Sequence, residues 1–147
     1  MNNSVRRMIF QDVPILVELF GKKEKSVEVF LAYFNEQMNG TGQVLVATIE
    51  DEVVGYITLM ANPTEGPFAN KQIPMISDLM ILDKFKHQAI DTALVDEAEN
   101  VVKDVSDEIA VMINVDINEN ILIARHYTHV ETDDSIRYMS KQICKQI

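Results

Sequence analysis

The alternation of apolar and polar residues changes its period several times along the chain, and each change predicts a new element. Residues 5–10 are mostly apolar and predict a first strand, after which Asp12 is placed to cap a helix over residues 12–20. Apolar side chains at helical spacing between Ser26 and Gly40 predict a second helix, whose apolar stripe we expect in the core. The stripe consists of Val27, Phe30, Leu31, Phe34 and Met38.

A hairpin and a further strand follow. Residues 43–50 and 53–60 are rich in β-branched and apolar side chains and flank an acidic tip, which is typical of a hairpin, and Gly55 marks a bulge within it. Residues 61–71 contain two prolines and a glycine and predict a loop long enough to cover a site. Residues 73–82 are again apolar and predict a strand.

The last part of the chain returns to helical spacing and then to strands. Apolar residues from Ile90 to Val105 share one face of a predicted helix, and residues 108–115 predict a strand after it. Residues 118–127 predict a weaker helix, and residues 135–141 a final edge strand. This order predicts one α/β domain over residues 1–147, with a mixed, mostly antiparallel sheet flanked by helices.

Composition narrows the function classes. The length of 147 residues is that of one domain, and the formal charge of −10 argues against a nucleic-acid partner, because a phosphate backbone needs a basic surface. Cys144 is the only cysteine, so an intrachain disulfide is impossible and a reducing compartment is expected. No stretch has the apolar length of a membrane span, and no N-terminal leader is evident. We therefore expect a cytoplasmic protein without a membrane partner.

Four segments together resemble one known family. The central one is IPMISDLMILDKFKHQAIDTALVDEAEN, and the others are VRRMIFQDVPILVELF, VLVATIEDEVVGYITL and SIRYMSK. The first is similar to the central motif of the GNAT superfamily of N-acetyltransferases, in which a strand leads into a Q/R-x-x-G-x-G/A loop and a helix. The others resemble that family's first strand and helix, middle hairpin and terminal strand. The resemblance implies transfer of acetyl from acetyl-CoA, as co-substrate, to an amine of a small molecule or a peptide.

The loop of this motif would hold the cofactor. In the family, its backbone N–H groups and the following helix N-terminus bind the pyrophosphate of coenzyme A, because unpaired amides and the helix dipole favour anions. The matching positions, with the residue that follows them, are Lys86, His87, Gln88, Ala89, Ile90, Asp91 and Thr92. Lys86 keeps a positive charge, and Ala89 is a small change from glycine if its position does not require positive φ.

Asp91 departs most from the motif. Two unit charges about 4 Å apart repel by about 4 kcal/mol at an effective dielectric constant near 20, which would weaken pyrophosphate binding roughly a thousandfold. As an ordinary cap or first-turn acid, Asp91 would instead stabilise its helix by roughly 1 kcal/mol without any ligand. In that alternative the chain is a catalytically inactive binding or regulatory module of the same fold.

Other cofactor contacts follow from the resemblance. The backbone amides of Leu79, Met80 and Ile81 correspond to positions that pair with pantetheine, and Asn114 could meet the pantetheine arm or bond within the fold. The family's N-x-x-A-x-x-x-Y-x-x-x-G-F pattern is matched at Asn120 and Tyr127, but not at its Ala, Gly and Phe positions.

Two side chains are candidates for the chemistry. Tyr127 corresponds to the family's acid for the departing thiolate; otherwise it is an amphipathic tyrosine packed under the last strand with its hydroxyl at the surface. Asp78 lies on the strand that enters the cofactor loop and could deprotonate the amine; otherwise it is a solvated acid at a strand end.

Two further hypotheses concern the C-terminal third. His126 and His129, with Glu131 or Asp133, have side chains that can ligate a metal, but histidines beside a charged turn are usually exposed polar residues, and the resemblance implies no metal. The terminal strand SIRYMSK, as an edge strand, could pair with a second copy of the chain, which makes a homodimer possible.

Overall fold

The computed structural model describes residues 3–21, 26–86, 88–113 and 119–143. Its strands are β1 (Asn3–Arg7), β2 (Gly42–Ile49), β3 (Glu52–Met60), β4 (Met75–Ile81), β5 (Glu108–Ile113), β6 (Thr128–Asp133) and β7 (Ile136–Gln142). Its helices are α1 (Asp12–Phe20), α2 (Val27–Asn39), α3 (Ile90–Val102) and α4 (Glu119–Ala124). None of these helices has the length and apolar character needed to cross a membrane.

The strands form one mixed sheet in the order β1-β2-β3-β4-β5-β7-β6. All neighbouring strands are antiparallel except β4 and β5, which are parallel and are connected through α3. A parallel pair needs such a crossover, because the chain must return to the same end of the sheet. The predicted class, an α/β fold with a mostly antiparallel sheet flanked by helices, is confirmed.

The two faces of the sheet carry separate clusters of buried residues. On one face, Leu94, Ala98 and other apolar residues of α3 pack against β2 to β5. On the other face, Leu16 of α1 and Phe30 of α2 pack against Tyr56 and neighbouring residues of β2 and β3. A smaller cluster joins Phe68 in the loop over residues 61–71 to Tyr138 of β7. The predicted loop is therefore anchored to the sheet through an aromatic pair.

Helix α2 has its predicted ends but not its predicted core face. Gly40 ends it with φ of 79°, a left-handed conformation that glycine adopts without strain. Phe30 is buried, whereas Val27, Leu31 and Met38 are exposed, Met38 by 67%. The prediction that the whole stripe is core was wrong, because the face towards the sheet also carries the buried polar residue Gln37, which bonds Met8 O and Val44 N.

The start of α1 also differs from the prediction. The strand before it ends at Arg7 rather than at residue 10. Asp12 is the first helical residue rather than the cap, and its carboxylate accepts hydrogen bonds from the Ile9 N–H at 2.8 Å and from the Arg6 guanidinium at 2.8 and 3.0 Å. The acid therefore fixes the turn between β1 and α1.

The strand over residues 135–141 was wrongly predicted to be an edge strand. Its counterpart β7 lies between β5 and β6, and β6 forms the edge. Strand β6 was missed because all its side chains are exposed and it has no apolar face to signal burial. The two-residue turn at Asp134 and Ser135, both with positive φ, is the local signal for this hairpin.

Candidate functional site

The parallel strands β4 and β5 separate shortly after they begin. Only two residue pairs connect the two strands, Met75 with Ala110 and Ile76 with Val111, although β4 continues to Ile81. On its other side β4 remains paired with β3, apart from an irregularity opposite Thr58 and Leu59. Beyond Ile76, the backbone groups of β4 that point away from β3 therefore face a cleft towards β5. Leu79, Met80 and Ile81 continue β4 past the level of Ile113, where the described part of β5 ends.

The chain leaves β4 through a short 3₁₀ turn and enters α3 at Ala89. Ala89 has φ of 57° and ψ of 28°, which is the left-handed conformation. Glycine adopts it freely, whereas a residue with a Cβ is strained there by about 1 kcal/mol. Ala89 was expected to be a small change only if positive φ was not required. Ala89 does adopt positive φ, so that condition is not met.

Several backbone N–H groups of this loop already donate hydrogen bonds within the protein. The N–H groups of Lys86 and Gln88 donate to the carbonyls of Asp83 and Phe85, and the Lys86 ammonium lies 3.1 Å from the Asp83 carboxylate. Thr92 N–H donates to Asp91 Oδ1 at 2.8 Å. Asp91 is the second residue of α3, so it is a first-turn acid and not the cap. One N–H group at the positive end of the helix is thus already bonded to a carboxylate.

Asp78 lies on the α1 and α2 side of β4, where two tyrosines reach it. Its Oδ2 accepts hydrogen bonds from the Tyr56 hydroxyl at 2.7 Å and from the Tyr33 hydroxyl at 3.2 Å. Tyr56 is buried on β3, and Tyr33 is half-buried on α2. Burial, together with the charges of Asp78 and Glu36, raises the pKa of Tyr33 above the ordinary tyrosine value. Both hydroxyls therefore donate hydrogen bonds to the same carboxylate oxygen.

Tyr127 lies on the α3 side of the sheet and is only 3% exposed. Its hydroxyl donates to Glu99 Oε2 at 2.9 Å. The same carboxylate binds the Arg125 guanidinium at 3.0 and 3.1 Å and the Lys141 ammonium at 2.9 Å. Arg125 also bonds Asp96 at 2.9 Å. The network ties α3 to β7 and to the segment between α4 and β6.

The balance of charges in this network sets its protonation. Burial alone would raise the pKa of Glu99, but hydrogen bonds from Arg125, Lys141 and Tyr127 outweigh it and hold that pKa below the ordinary value. Burial and the Glu99 charge raise the pKa of Tyr127 above its ordinary value. Glu99 is therefore ionised and Tyr127 neutral at physiological pH. The expected alternative, a tyrosine with its hydroxyl at the surface, does not describe Tyr127.

The remaining predicted residues are not gathered at one place. Asn120 is exposed on α4, and His129 bonds Thr132 across 2.8 Å. His87 and Asn114 lie outside the described residues. Within residues 3–21, 26–86, 88–113 and 119–143, no group of three or more His, Cys, Asp or Glu side chains is arranged to hold a metal ion.

Sequence reasoning missed three residues that the structure places beside the candidates. Tyr33 and Tyr56 bond Asp78, and Glu99 bonds Tyr127. Tyr33 and Glu99 are both helical residues. Each comes close to its hydrogen-bond partner only because its helix packs on the sheet. Tyr56 is the exception, since the predicted hairpin already places it on a strand in the middle of the sheet. A polar hydroxyl within an otherwise apolar strand is the sequence signal by which Tyr56 could have been found.

Comparisons with known proteins locate the fold. Searches of protein-family profiles and of curated protein sequences find no significant match. The PaiA N-acetyltransferase of Thermoplasma acidophilum, solved with coenzyme A, is similar with a TM-score of 0.78 and 18% identity over 97% of this chain and 99% of that one. A putative GNAT-family acetyltransferase of Desulfovibrio desulfuricans has a TM-score of 0.73 and 13% identity over 96% and 99%.

A third similar structure is yncA of Salmonella typhimurium, a putative acetyltransferase with its cofactor acetyl-CoA. It has a TM-score of 0.74 and 11% identity over 98% of this chain and 95% of that one. Sequence identities this low establish a shared fold only. The function has to be argued from the residues of the site. Each similarity extends over nearly the whole length of both chains. The chain therefore has the fold of the GNAT acetyltransferases.

Proposed function

We propose that the protein transfers the acetyl group of acetyl-CoA to the amine of a small molecule or a peptide. The observation that carries this proposal is the cleft between β4 and β5, which opens next to the N-terminus of α3. An exposed strand edge offers hydrogen bonds to a chain of amides, and a helix N-terminus attracts a phosphate group. Similar structures solved with coenzyme A and with acetyl-CoA support the same choice of ligand.

The chain offers two parts of a cofactor site. The edge of β4 at Leu79, Met80 and Ile81 would hold the amides of pantetheine, and the start of α3 at Ala89 and Ile90 would face the pyrophosphate. The first part fits without change. The second fits less well, because Asp91 places a carboxylate at the same helix end. Acetyl-CoA supplies a thioester whose acetyl group passes to a nitrogen while the sulfur leaves as a thiol.

Asp78 is the proposed base. An alkylammonium must lose a proton before its nitrogen can attack a carbonyl carbon, and a carboxylate close to that nitrogen accepts the proton directly or through water. The hydroxyls of Tyr56 and Tyr33 fix the Asp78 carboxylate in one orientation. This arrangement puts the negative charge on the face of β4 that α2 partly covers.

Tyr127 receives a structural role in this proposal. Its hydroxyl proton is already shared with Glu99, and the raised pKa makes it a weak donor to a departing thiolate. The tyrosine that matches the family pattern is thus part of the ion network between α3 and β7. Water in the cleft would then protonate the departing thiolate.

A second candidate function is a catalytically inactive binding module. The hydrogen bond from Thr92 N–H to Asp91 favours it, because the acid supplies the negative charge that the helix end would otherwise take from a ligand. The strained left-handed Ala89 in place of glycine points in the same direction, since selection for close backbone approach to a phosphate would favour glycine.

Calorimetric titration with acetyl-CoA separates the two candidates. We expect the unaltered protein to bind it, and Asp91→Asn and Asp91→Gly to bind it at least about tenfold more tightly, because each removes one like charge from the phosphate site. Asparagine keeps the acceptor for Thr92 N–H, so agreement between the two variants assigns the effect to charge and not to size. Asp104→Asn, an exposed acid beyond the end of α3, is the matched control.

The outcomes distinguish the functions plainly. Binding by the unaltered protein, followed by acetylation of any amine, supports the enzyme. Absence of binding that both Asp91 variants restore identifies the module. Absence of binding in all three proteins rejects the placement of the cofactor at α3.

A further inference from the structure

Four apolar residues of α2 form a stripe that the fold leaves largely uncovered. They are Val27, Leu31, Phe34 and Met38, at successive spacings of four, three and four residues. Residues at these spacings share one side of a helix, as in the seam of a coiled coil. Val27, Leu31 and Met38 are between 37% and 67% exposed, and Phe34 is half-buried. We call these four residues the α2 stripe.

The stripe continues onto the turn between β1 and α1. Phe10 of this turn is 57% exposed, and its ring meets the ring of Phe34 edge to face, with the centroids 5.4 Å apart. Aromatic rings attract each other in this arrangement, so the two side chains form one continuous surface. The α2 stripe and Phe10 together are called the α2 patch. Contiguous apolar patches on a protein surface often mark an interaction site.

The area of the α2 patch matches what a stable contact needs. With about 200 Å² for each large side chain, a value typical of aromatic residues, its exposed part is on the order of 450 Å². A standard interface buries about 800 Å² on each partner, of which somewhat more than half is apolar. The apolar share of such an interface is therefore roughly 450 Å² as well.

The surroundings of the patch are also those of an interface. The exposed positions next to the stripe on the free side of α2 are small or polar, and one of them is charged. They are Glu28, Ala32, Asn35 and Asn39. An apolar centre with a polar rim and few charges is the usual composition of a protein contact surface.

The order of residues within the stripe indicates which partner fits it. The spacings four, three and four are the same in both directions along the helix. When two copies of α2 lie antiparallel about a two-fold axis between residues 32 and 33, Val27 meets the partner's Met38, and Leu31 meets the partner's Phe34. Each contact then occurs twice, and a smaller side chain faces a larger one at every level. The stripe is therefore complementary to a second copy of itself.

The charge of the chain limits where two copies can meet. Each copy has a formal charge of −10, so two copies repel each other over most of their surfaces. The stripe contains no charged residue. In the antiparallel pair, the two Glu28 residues lie about 14 Å apart along the helix axis, which is beyond the Debye length of about 8 Å at physiological salt. The α2 patches can thus approach without bringing like charges together.

We propose that the protein forms a two-fold symmetric dimer in which the α2 patches of two copies pack antiparallel against each other. This surface differs from the terminal strand that the sequence suggested for dimer formation, since β7 is internal in the sheet. The inference is independent of the proposed function, because no residue of the patch belongs to the proposed cofactor site or is the proposed base. Since the contact is apolar and both copies are acidic, salt strengthens the dimer by screening their repulsion.

Sedimentation equilibrium of the full chain measures the dissociation constant of the dimer. We expect dimer formation in the micromolar range, tighter at high salt than at low salt. Leu31→Glu should raise the dissociation constant at least about a hundredfold, because it buries two unpaired carboxylates in each dimer. Met38→Glu, at the most exposed position of the stripe, should weaken the dimer in the same way without touching the core. Val105→Glu, an equally exposed apolar residue beyond the end of α3, is the matched control and should keep the dimer.

A mixing experiment tests the antiparallel arrangement. Val27→Glu and Met38→Lys each place a charge against an apolar side chain at both ends of the homodimer. In an equimolar mixture of the two variants, the introduced charges are opposite in sign and meet at one end of the heterodimer. Native mass spectrometry should therefore find more heterodimer than the two homodimers together. A parallel pair would bring these charges to opposite ends and give no such excess.

Three results would overturn the inference. The first is an unaltered protein that stays monomeric at high salt up to near-millimolar concentration, which would leave the patch to a different protein. The second is a dimer that both Leu31→Glu and Met38→Glu leave intact while circular dichroism shows them folded, since the contact then lies elsewhere. The third is a mixture of Val27→Glu and Met38→Lys without an excess of heterodimer.

Discussion

Two contacts between tyrosine and carboxylate lie on opposite faces of the same sheet and differ in what surrounds them. On the α3 face, Glu99 binds Tyr127 together with the cations of Arg125 and Lys141. On the α1 and α2 face, Asp78 accepts hydrogen bonds from two tyrosine hydroxyls, and one of these tyrosines, Tyr33, lines a groove between α2 and the sheet. The first carboxylate is bonded to two cations and one hydroxyl, whereas two hydroxyls donate to the second.

In a divergent chain, the residue that matches a family pattern and the residue placed for chemistry need not be the same. The tyrosine that matches a family pattern bonds within an ionic network, while the proposed base, Asp78, accepts from two tyrosines that the sequence did not predict. A buried, fully bonded ionic network contributes to the fold only when all members are present. A polar group at a groove can bind or react without loss of the fold.

The largest expected effect is on transfer through Asp78. Asp78→Asn removes the proton acceptor, so kcat/KM for acetyl transfer should fall by about a hundredfold at neutral pH. The asparagine oxygen can still accept from the tyrosines, and the free energy of unfolding should change by less than about 1 kcal/mol. Steady-state kinetics and urea denaturation measure the two quantities, with Asp104→Asn as the control. A loss of stability without a loss of rate would make Asp78 a structural acid.

The next effect is on stability through Glu99. Glu99→Gln leaves Arg125 and Lys141 without their shared carboxylate, which should lower the free energy of unfolding by about 2 kcal/mol at neutral pH. Glu97→Gln, two positions away on α3 and facing elsewhere, should change it little. Urea denaturation of the three proteins measures this.

The same variant has a defined pH dependence. The pKa of Glu99 is lower in the folded protein than in the unfolded chain, where it is about 4.3. The carboxylate therefore stabilises the fold fully above the unfolded value and loses this contribution as the pH falls through the folded value. The difference between the unaltered protein and Glu99→Gln should shrink below about pH 4. A difference that grows on acidification would contradict the assigned network.

The smallest effect belongs to Tyr127. Tyr127→Phe removes one hydrogen bond to a carboxylate that keeps both of its cations, so the free energy of unfolding should fall by about 1 kcal/mol. If the hydroxyl is only structural, kcat should change by less than about threefold, since loss of a general acid costs about a hundredfold or more. A larger fall in kcat, with a pH profile that loses its alkaline limb, would restore Tyr127 as the acid.

The order of strands and helices was predictable because periodicity records which face of each element is buried. The hairpin of β2 and β3, the ends of α2 and the crossover through α3 follow from apolar spacing, a closing glycine and turn residues. Strand β6 was not predictable by this rule, since all its side chains are exposed. The face of α2 was misjudged, because Gln37 reaches into the core to bond the backbone of Met8, before α1, and of Val44, in β2.

The architecture and the acidic character of the chain could be predicted from the amino-acid sequence alone, which also singled out Asp78 and Asp91. The partners of these two residues became known from the way the helices pack on the sheet. Tyr33 meets Asp78 across 45 positions of the chain, and Tyr127 meets Glu99 across 28. Local patterns report the burial of one element at a time, whereas a hydrogen bond between distant elements depends on how helices pack on the sheet. The hydroxyls around Asp78 and the cations around Glu99 are therefore brought together only in the packed molecule.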